Sequence, residues 1–205
     1  MKKIFVTGIG TDVGKTIVSA VITEALQADY WKPVQAGYAD GTDTELVRSL
    51  VTNKKTVIHP ETYKLKIPAS PHAAAAAEGI EIRIKDIKAP RTTNTLVIEG
   101  AGGLMVPLSE KELVIDLIEY LQASAIVVIR HYQGSINHSL LTLQVLKQRN
   151  IPVLGLVISG APNEQSEKAI LSFSDHKIIG RIGGEKEFTA EVIAGYAKKI
   201  QASLL

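Results

Sequence analysis

The 205-residue chain contains no cysteine. Disulfides, thiolate metal sites and cysteine nucleophiles are therefore excluded, and the composition suits a reducing, cytoplasmic setting. Aromatic residues make up only 5% of the chain, and its net charge is just +2. The lysines are scattered, with no basic run interleaved with aromatics, so nucleic acid is not expected as a partner. No apolar run approaches the roughly 20 residues that a membrane helix needs. The start of the chain passes from Lys2-Lys3 directly into a strand pattern, which is not the layout of a signal peptide, and no membrane partner is expected. His59, His131 and His176 show no H-x3-H or carboxylate spacing, and so suggest no metal cluster. There is also no linker rich in Pro, Gly or Ser, while 45% of residues are hydrophobic. One domain over residues 1–205, built on one core, is the expectation.

Short apolar runs bounded by turn residues recur at 4–7, 30–34, 96–98, 125–129, 153–158 and 177–179. They read as buried strands. Helical patterns lie between them at 16–27, 44–51, 72–78, 114–121, 136–148, 164–173 and 187–203. This alternation predicts an α/β fold in three layers, a parallel sheet covered by helices on both faces. The stretch 53–93 is the least regular, interrupted by Pro60, Pro68, Pro71 and Pro90. Such an excursion from an α/β sheet is suited to wrapping a substrate.

The first strand runs into Gly8-Ile-Gly-Thr-Asp-Val-Gly14-Lys15-Thr16 and then into an amphipathic helix. Glycines let successive N–H groups point at phosphate oxygens, and the helix adds its positive N-terminal end. In such a loop Lys15 reaches the β and γ phosphates and Thr16 ligates Mg²⁺. The pattern G-x4-G-K-[ST] is not met, because Ile9 occupies its first position; a longer P-loop variant is expected.

Glu99 follows an apolar strand and precedes Gly100-Ala101-Gly102-Gly103, read here as a flexible turn. A carboxylate at the C-terminal end of an α/β strand is placed to act on Mg²⁺, directly or through water. Asp43, just before a helix, reads alone as an N-cap or first-turn acid. Lys32 between Trp31 and Pro33 reads as an exposed lysine at a strand end, either simple surface or a neighbour of the phosphate loop. Ser70-Pro71-His72 reads as a helix start with Ser70 as cap. Gly134-Ser135-Ile136-Asn137-His138 also opens a helix, and serves equally as a cap or as an anion site.

Taken together, residues 5–16, Lys32-Pro-Val-Gln-Ala-Gly37, Asp43, Ser70-Pro-His72, Glu99-Gly-Ala-Gly-Gly103 with Pro107-Leu108, and Gly134-Ser-Ile-Asn-His138 resemble the dethiobiotin synthetase family. The resemblance implies an ATP-dependent cyclo-ligase of the P-loop NTPase class. Such an enzyme joins CO2 to 7,8-diaminopelargonic acid and closes the ureido ring of dethiobiotin, releasing ADP and phosphate. An amine becomes a carbamate, a carbamate oxygen attacks the γ-phosphate, and the second amine displaces phosphate. By the same resemblance Lys15, Lys32 and Thr11 are catalytic, and Thr16, Asp43 and Glu99 hold Mg²⁺. Asp12, Val13, Gly14, Lys15, Thr16, Ile17, Asp43, Glu99, Gly100, Ala101, Gly102, Ser159 and Gly160 bind nucleotide. Lys32, Ala36, Pro71, Gly134, Ser135, Ile136 and Asn137 bind the diamine, the last three from the partner subunit of a homodimer.

Four departures from the family pattern stand out. Ile9 and Gly10 replace Thr and Asp in the loop, and Ala36 replaces a hydroxyl residue. Ser159-Gly160 stands where many members have Asn-Asp at the adenine edge, and Ile182-Gly183-Gly184 lacks a proline near the base. A site without a bidentate adenine reader is expected to discriminate less between ATP, GTP and CTP. Two other P-loop classes fit the sequence less well. Amidotransferase-type ATPases need a cysteine that this chain lacks. ParA/MinD-type switch ATPases carry a signature lysine where Gly10 stands here.

Overall fold

The computed structural model describes residues 2–204. Among them the order of elements is β1 (Lys3–Gly8), α1 (Lys15–Leu26), β2 (Asp29–Trp31), β3 (Val34–Ala36), α2 (Asp43–Leu50), β4 (Ile58–His59), β5 (Tyr63–Leu65), α3 (Pro71–Ala77), β6 (Leu96–Gly103), α4 (Val114–Leu121), β7 (Ser124–Arg130), α5 (Ser135–Gln148), β8 (Val153–Ser159), α6 (Glu164–Ser172), β9 (Ile178–Ile182) and α7 (Ala190–Leu204). Seven strands form one sheet in the order β4-β2-β6-β1-β7-β8-β9, and β3 pairs with β5 in a small second sheet. Every pairing between these strands is parallel.

The sequence pattern explains the layers. Ile4, Phe5 and Val6 of β1 are fully buried, as are Ile126, Val127 and Val128 of β7. Continuous apolar runs of this kind suit strands covered on both sides. The connection through α1 runs from β1 toward β2, whereas those through α4 and α5 run the opposite way across the sheet. Right-handed crossovers then place α1 on one face and α4 and α5 on the other. Accordingly α1 packs with α2 and α7, and α5 packs with α6. The chain changes direction at β1, whose neighbours are β6 and β7, and a ligand crevice opens at the carboxyl ends of strands around such a point.

Two sequence expectations differ from the structure. The run 30–34 is two strands rather than one, with Lys32 and Pro33 between them. Pro33 has no N–H to give a ladder, and the chain leaves the main sheet there for the small one. The strand around residues 96–98 continues to Gly103, so Glu99 lies inside β6 and the glycines after it are strand, not a flexible turn. The pairing with β1 passes from Val6–Glu99 to Gly8–Gly103, a bulge that takes up the extra residues. The irregular stretch 53–93 contains β4, β5, α3 and a short 3-10 turn over Ile84–Asp86. Of these, α3 lies where the helical pattern 72–78 predicts a helix, with Ser70 at its cap position, while β4, β5 and the 3-10 turn are too short to leave a periodic signal.

Candidate active site

The loop between β1 and α1 is shaped by backbone conformation. Asp12 and Gly14 both have positive φ, 55° and 94°. A Cβ on Gly14 would lie 2.3 Å from Ser159 Oγ, so glycine is required there on both counts. Among the described residues, the N–H groups of residues 10–14 donate to no main-chain carbonyl. Together with the first turn of α1 they form a concave set of free donors, the arrangement that accepts phosphate.

At the start of α1, side chains from four elements meet. Thr16 Oγ1 lies 2.9 Å from Asp43 Oδ1 and 2.8 Å from Glu99 Oε1. Lys32 Nζ lies 2.6 Å from Asp43 Oδ2 and 2.9 Å from Glu99 Oε1. Tyr30 donates its hydroxyl to Glu99 Oε2 at 2.8 Å. A hydroxyl has one proton, so Thr16 serves one carboxylate at a time, and the cluster keeps more lone pairs than protons. Its donor set toward a cation is all oxygen, two carboxylates and a hydroxyl, which fits Mg²⁺.

Asp43 reaches this cluster because it does not cap its helix. Thr42 is the N-cap of α2: its side chain accepts from the Glu45 N–H at 3.1 Å, and Glu45 Oε2 accepts from the Thr42 N–H at 2.8 Å. That reciprocal pair leaves the Asp43 carboxylate, in the first turn, free to face the loop. The exposed-lysine reading of Lys32 is also corrected, since its side chain is only 5% accessible.

Burial pushes the Lys15 ammonium down to about 8, and the nearby Lys32 charge adds to this against the partial offset of Glu99, Asp43 and Asp12. Lys15 Nζ meanwhile donates to the carbonyl of Gly10 at 2.9 Å. For Lys32 burial acts in the same direction, but Glu99 and Asp43 outweigh it and its pKa is raised. Burial would raise the Asp43 carboxyl, yet Lys32 and Thr16 hold it below the ordinary range.

A cleft of about 780 Å³ opens over this cluster. Of the residues singled out from sequence, it is lined by Thr11, Asp12, Gly14, Lys15, Thr16, Ile17, Lys32, Ala36, Asp43, Pro71, Glu99, Ala101 and Gly102. Gly37 lets the far wall approach: its φ is 75°, and a Cβ there would meet Pro68 at 2.8 Å. The Val13 side chain is turned into the core instead. Gly100, Ser159, Gly160 and the α5 start at Gly134, Ser135, Ile136 and Asn137 do not line the cleft. Ser159 sits behind Gly14, at the end of β8.

Sequence reasoning missed Tyr30, Gln35 and Arg130. Gln35 Oε1 accepts from the Asp43 N–H at 3.3 Å, and the Arg130 guanidinium donates to the Asp12 carbonyl at 3.1 Å. Both sit next to residues that were found, but only their folded partners disclose a role. His59 and His131 pair with Asp29 and Glu167, each at 3.3 Å.

A family model described as an AAA domain matches residues 2–192. The ATP-dependent dethiobiotin synthetase BioD of Cytophaga hutchinsonii is 51% identical over 201 residues, covering 98% of this chain and 97% of that protein. The synthetase of the same name from Christiangramia forsetii is 49% identical, with 99% and 98% covered. In structure the chain is similar to the septum site-determining protein MinD of Pyrococcus horikoshii, with a TM-score of 0.60 at 16% identity, covering 99% of this chain and 92% of that one. It is also similar to a ParA family ATPase of Chlorobium tepidum, with a TM-score of 0.54 at 12% identity, covering 96% and 98%. These two likenesses show a shared P-loop NTPase fold and nothing further.

Proposed function

The chain belongs to the ATP-dependent dethiobiotin synthetases, ligases that form a C–N bond, and on that premise we propose how its own residues divide the work. The observation that carries the proposal is the meeting of Thr16, Asp43, Glu99 and Lys32 at the start of α1, beside the free N–H groups of the loop. Residues 1–205 act as one synthetase domain.

The loop amides from Asp12 to Ile17, with Thr11, wrap the phosphates of ATP. Lys15 leaves the Gly10 carbonyl and turns its ammonium to the β and γ phosphates, where an anion favours the charge that burial opposes. Thr16, Asp43 and Glu99 hold Mg²⁺, which when bound supplies charge neutralisation across the phosphates. Lys32, buried and held charged by its two carboxylates, faces the transferring phosphoryl group and the carbamate that attacks it. Stabilising charge that develops in a site shielded from water is the largest contribution such residues make. Ala36 and Pro71 line the wall against which the diamine lies. Positioning its two amines relative to the phosphorus and the carbamoyl carbon requires no covalent enzyme intermediate. Ser159 and Gly160, behind the loop, offer no side-chain amide pair to an adenine edge, so base discrimination is relaxed.

We place the enzyme in the cytoplasm as a homodimer. None of the described helices is long and apolar enough to cross a membrane. The start of α5, outside the cleft, grips the distal carboxylate of the diamine bound by the partner copy. The test is turnover with diaminopelargonate, bicarbonate, Mg²⁺ and, separately, ATP, GTP and CTP. Dethiobiotin and phosphate are expected with ATP, and product with none of the three would sink the reading.

A further inference from the structure

Tyr30 is fully buried, and its hydroxyl is the donor to Glu99 Oε2, yet no step above uses it. Its place follows from the sheet. β2 lies beside β6 with Tyr30 opposite Val97, and Glu99 follows two residues later on the same face of β6. Two residues of strand span about 7 Å. A tyrosine ring reaches that far along the strand direction, whereas an aliphatic side chain does not.

The consequence lies in how Glu99 is divided. Its Oε2 is held by Tyr30 in the core, while Oε1 faces Thr16 and Lys32. Glu99 is only 1% exposed, and without the hydroxyl Oε2 would be left buried with no donor. The carboxylate would then gain by rotating both oxygens onto the Lys32 ammonium. That would close the ion pair and withdraw an oxygen from the cation position.

We propose that Tyr30 is a positioning residue for this reaction, pinning Glu99 Oε2 so that Oε1 alone is presented to Mg²⁺ and Lys32 stays shared between Glu99 and Asp43. The inference rests on the reading of Thr16, Asp43 and Glu99 as the Mg²⁺ site. Partners one step removed from a metal commonly control its affinity by tenfold or more.

Tyr30→Phe removes one oxygen and keeps the ring. Calorimetric titration of Mg²⁺ into the ADP-saturated enzyme, without turnover, is expected to show a Kd raised about tenfold by Tyr30→Phe. In a Glu99→Gln background the same substitution is expected to add nothing, because its effect passes through Glu99. An affinity within about twofold of wild type in Tyr30→Phe, with Glu99→Gln clearly weakened, overturns the positioning role alone. An unchanged affinity in Glu99→Gln overturns the metal reading beneath it. A Tyr30→Phe chain that does not fold assigns the hydroxyl to the architecture and likewise overturns the proposal.

Discussion

The ammonium of Lys32 lies 2.6 Å from Asp43 Oδ2, on side chains 5% and 31% accessible. It also serves Glu99, so Lys32→Met leaves two carboxylates facing each other without their cation. Breaking such a pair costs about 3 kcal/mol, at the low end of the buried range because Asp43 retains some water. The raised Lys32 pKa contributes stability that is present below its ordinary value of 10.5 and is lost as pH rises through the folded value. The lowered Asp43 pKa contributes stability present above its ordinary 3.8 and lost as pH falls through the folded value. Between those limits urea unfolding should find the variant less stable, with the gap closing in acid. With the charge gone from the reacting centre, kcat should fall by about 10²-fold or more. A loss of threefold or less would remove Lys32 from the chemistry.

Lys15 is the opposite case, a cation held at a disadvantage. With its pKa lowered to about 8, the folded chain binds fewer protons than the unfolded chain between there and 10.5. Through this group stability rises with pH across that window. Phosphate restores the preference for charge, so nucleotide binding above pH 8 should take up a proton and weaken as pH rises. Calorimetry of ADP binding near pH ~8.5 in two buffers of different ionisation enthalpy reads that uptake. Lys15→Met should abolish it, and an uptake that persists in the variant would assign the proton to another group.

How much of this site could be read from the residues alone depended on how locally each part is encoded. Lys15 and Thr16 follow from a loop, a strand and a helix contiguous in the chain, and the pattern is sufficient. Asp43 read alone as an N-cap or first-turn acid, and it stands in the first turn because Thr42, one residue earlier, takes the cap together with Glu45. The burial of Lys32 was not legible. It arises from Glu99, 67 positions away, and from the exit of the chain from the main sheet at Pro33. The glycines after Glu99 resemble a turn in any local reading and are strand only because β1 pairs alongside them. β4 and β5, with two and three residues, are held by their neighbours more than by their own propensity.

The close approach of Ser159 to Gly14 ties the tip of β8 to the phosphate loop and gives a separable test. Gly14→Ala meets two obstacles, a positive φ costing about 1–2 kcal/mol for a side chain and the Ser159 hydroxyl 2.3 Å from the new Cβ. Adding Ser159→Gly removes the second obstacle only. Thermal unfolding should therefore place the double variant between Gly14→Ala and wild type. ADP affinity should recover in the same order. If the double variant is no more stable than Gly14→Ala, the contact does not constrain the loop.

The start of α5 poses a question of geometry. Ser135 is buried and its N–H is taken by the Tyr132 carbonyl, but the next amides, of Ile136 and Asn137, belong to a first helical turn with no partner inside the helix. A turn of this kind accepts a carboxylate. Yet none of residues 134–137 lines the cleft that holds Lys15 and Lys32. If the turn serves the neighbouring copy, each site combines the loop of one chain with the α5 start of the other. Lys15→Ala and Asn137→Pro, the latter removing one of those amides in a first turn that tolerates proline, then damage different halves. In a dimer mixed from the two, one site carries both defects and the other carries none. Equal mixing with subunit exchange should return about one quarter of wild-type turnover per chain from two nearly inactive preparations. Activity that only averages the two parents, in a mixture shown by mass spectrometry to contain the mixed dimer, would confine each site to a single chain.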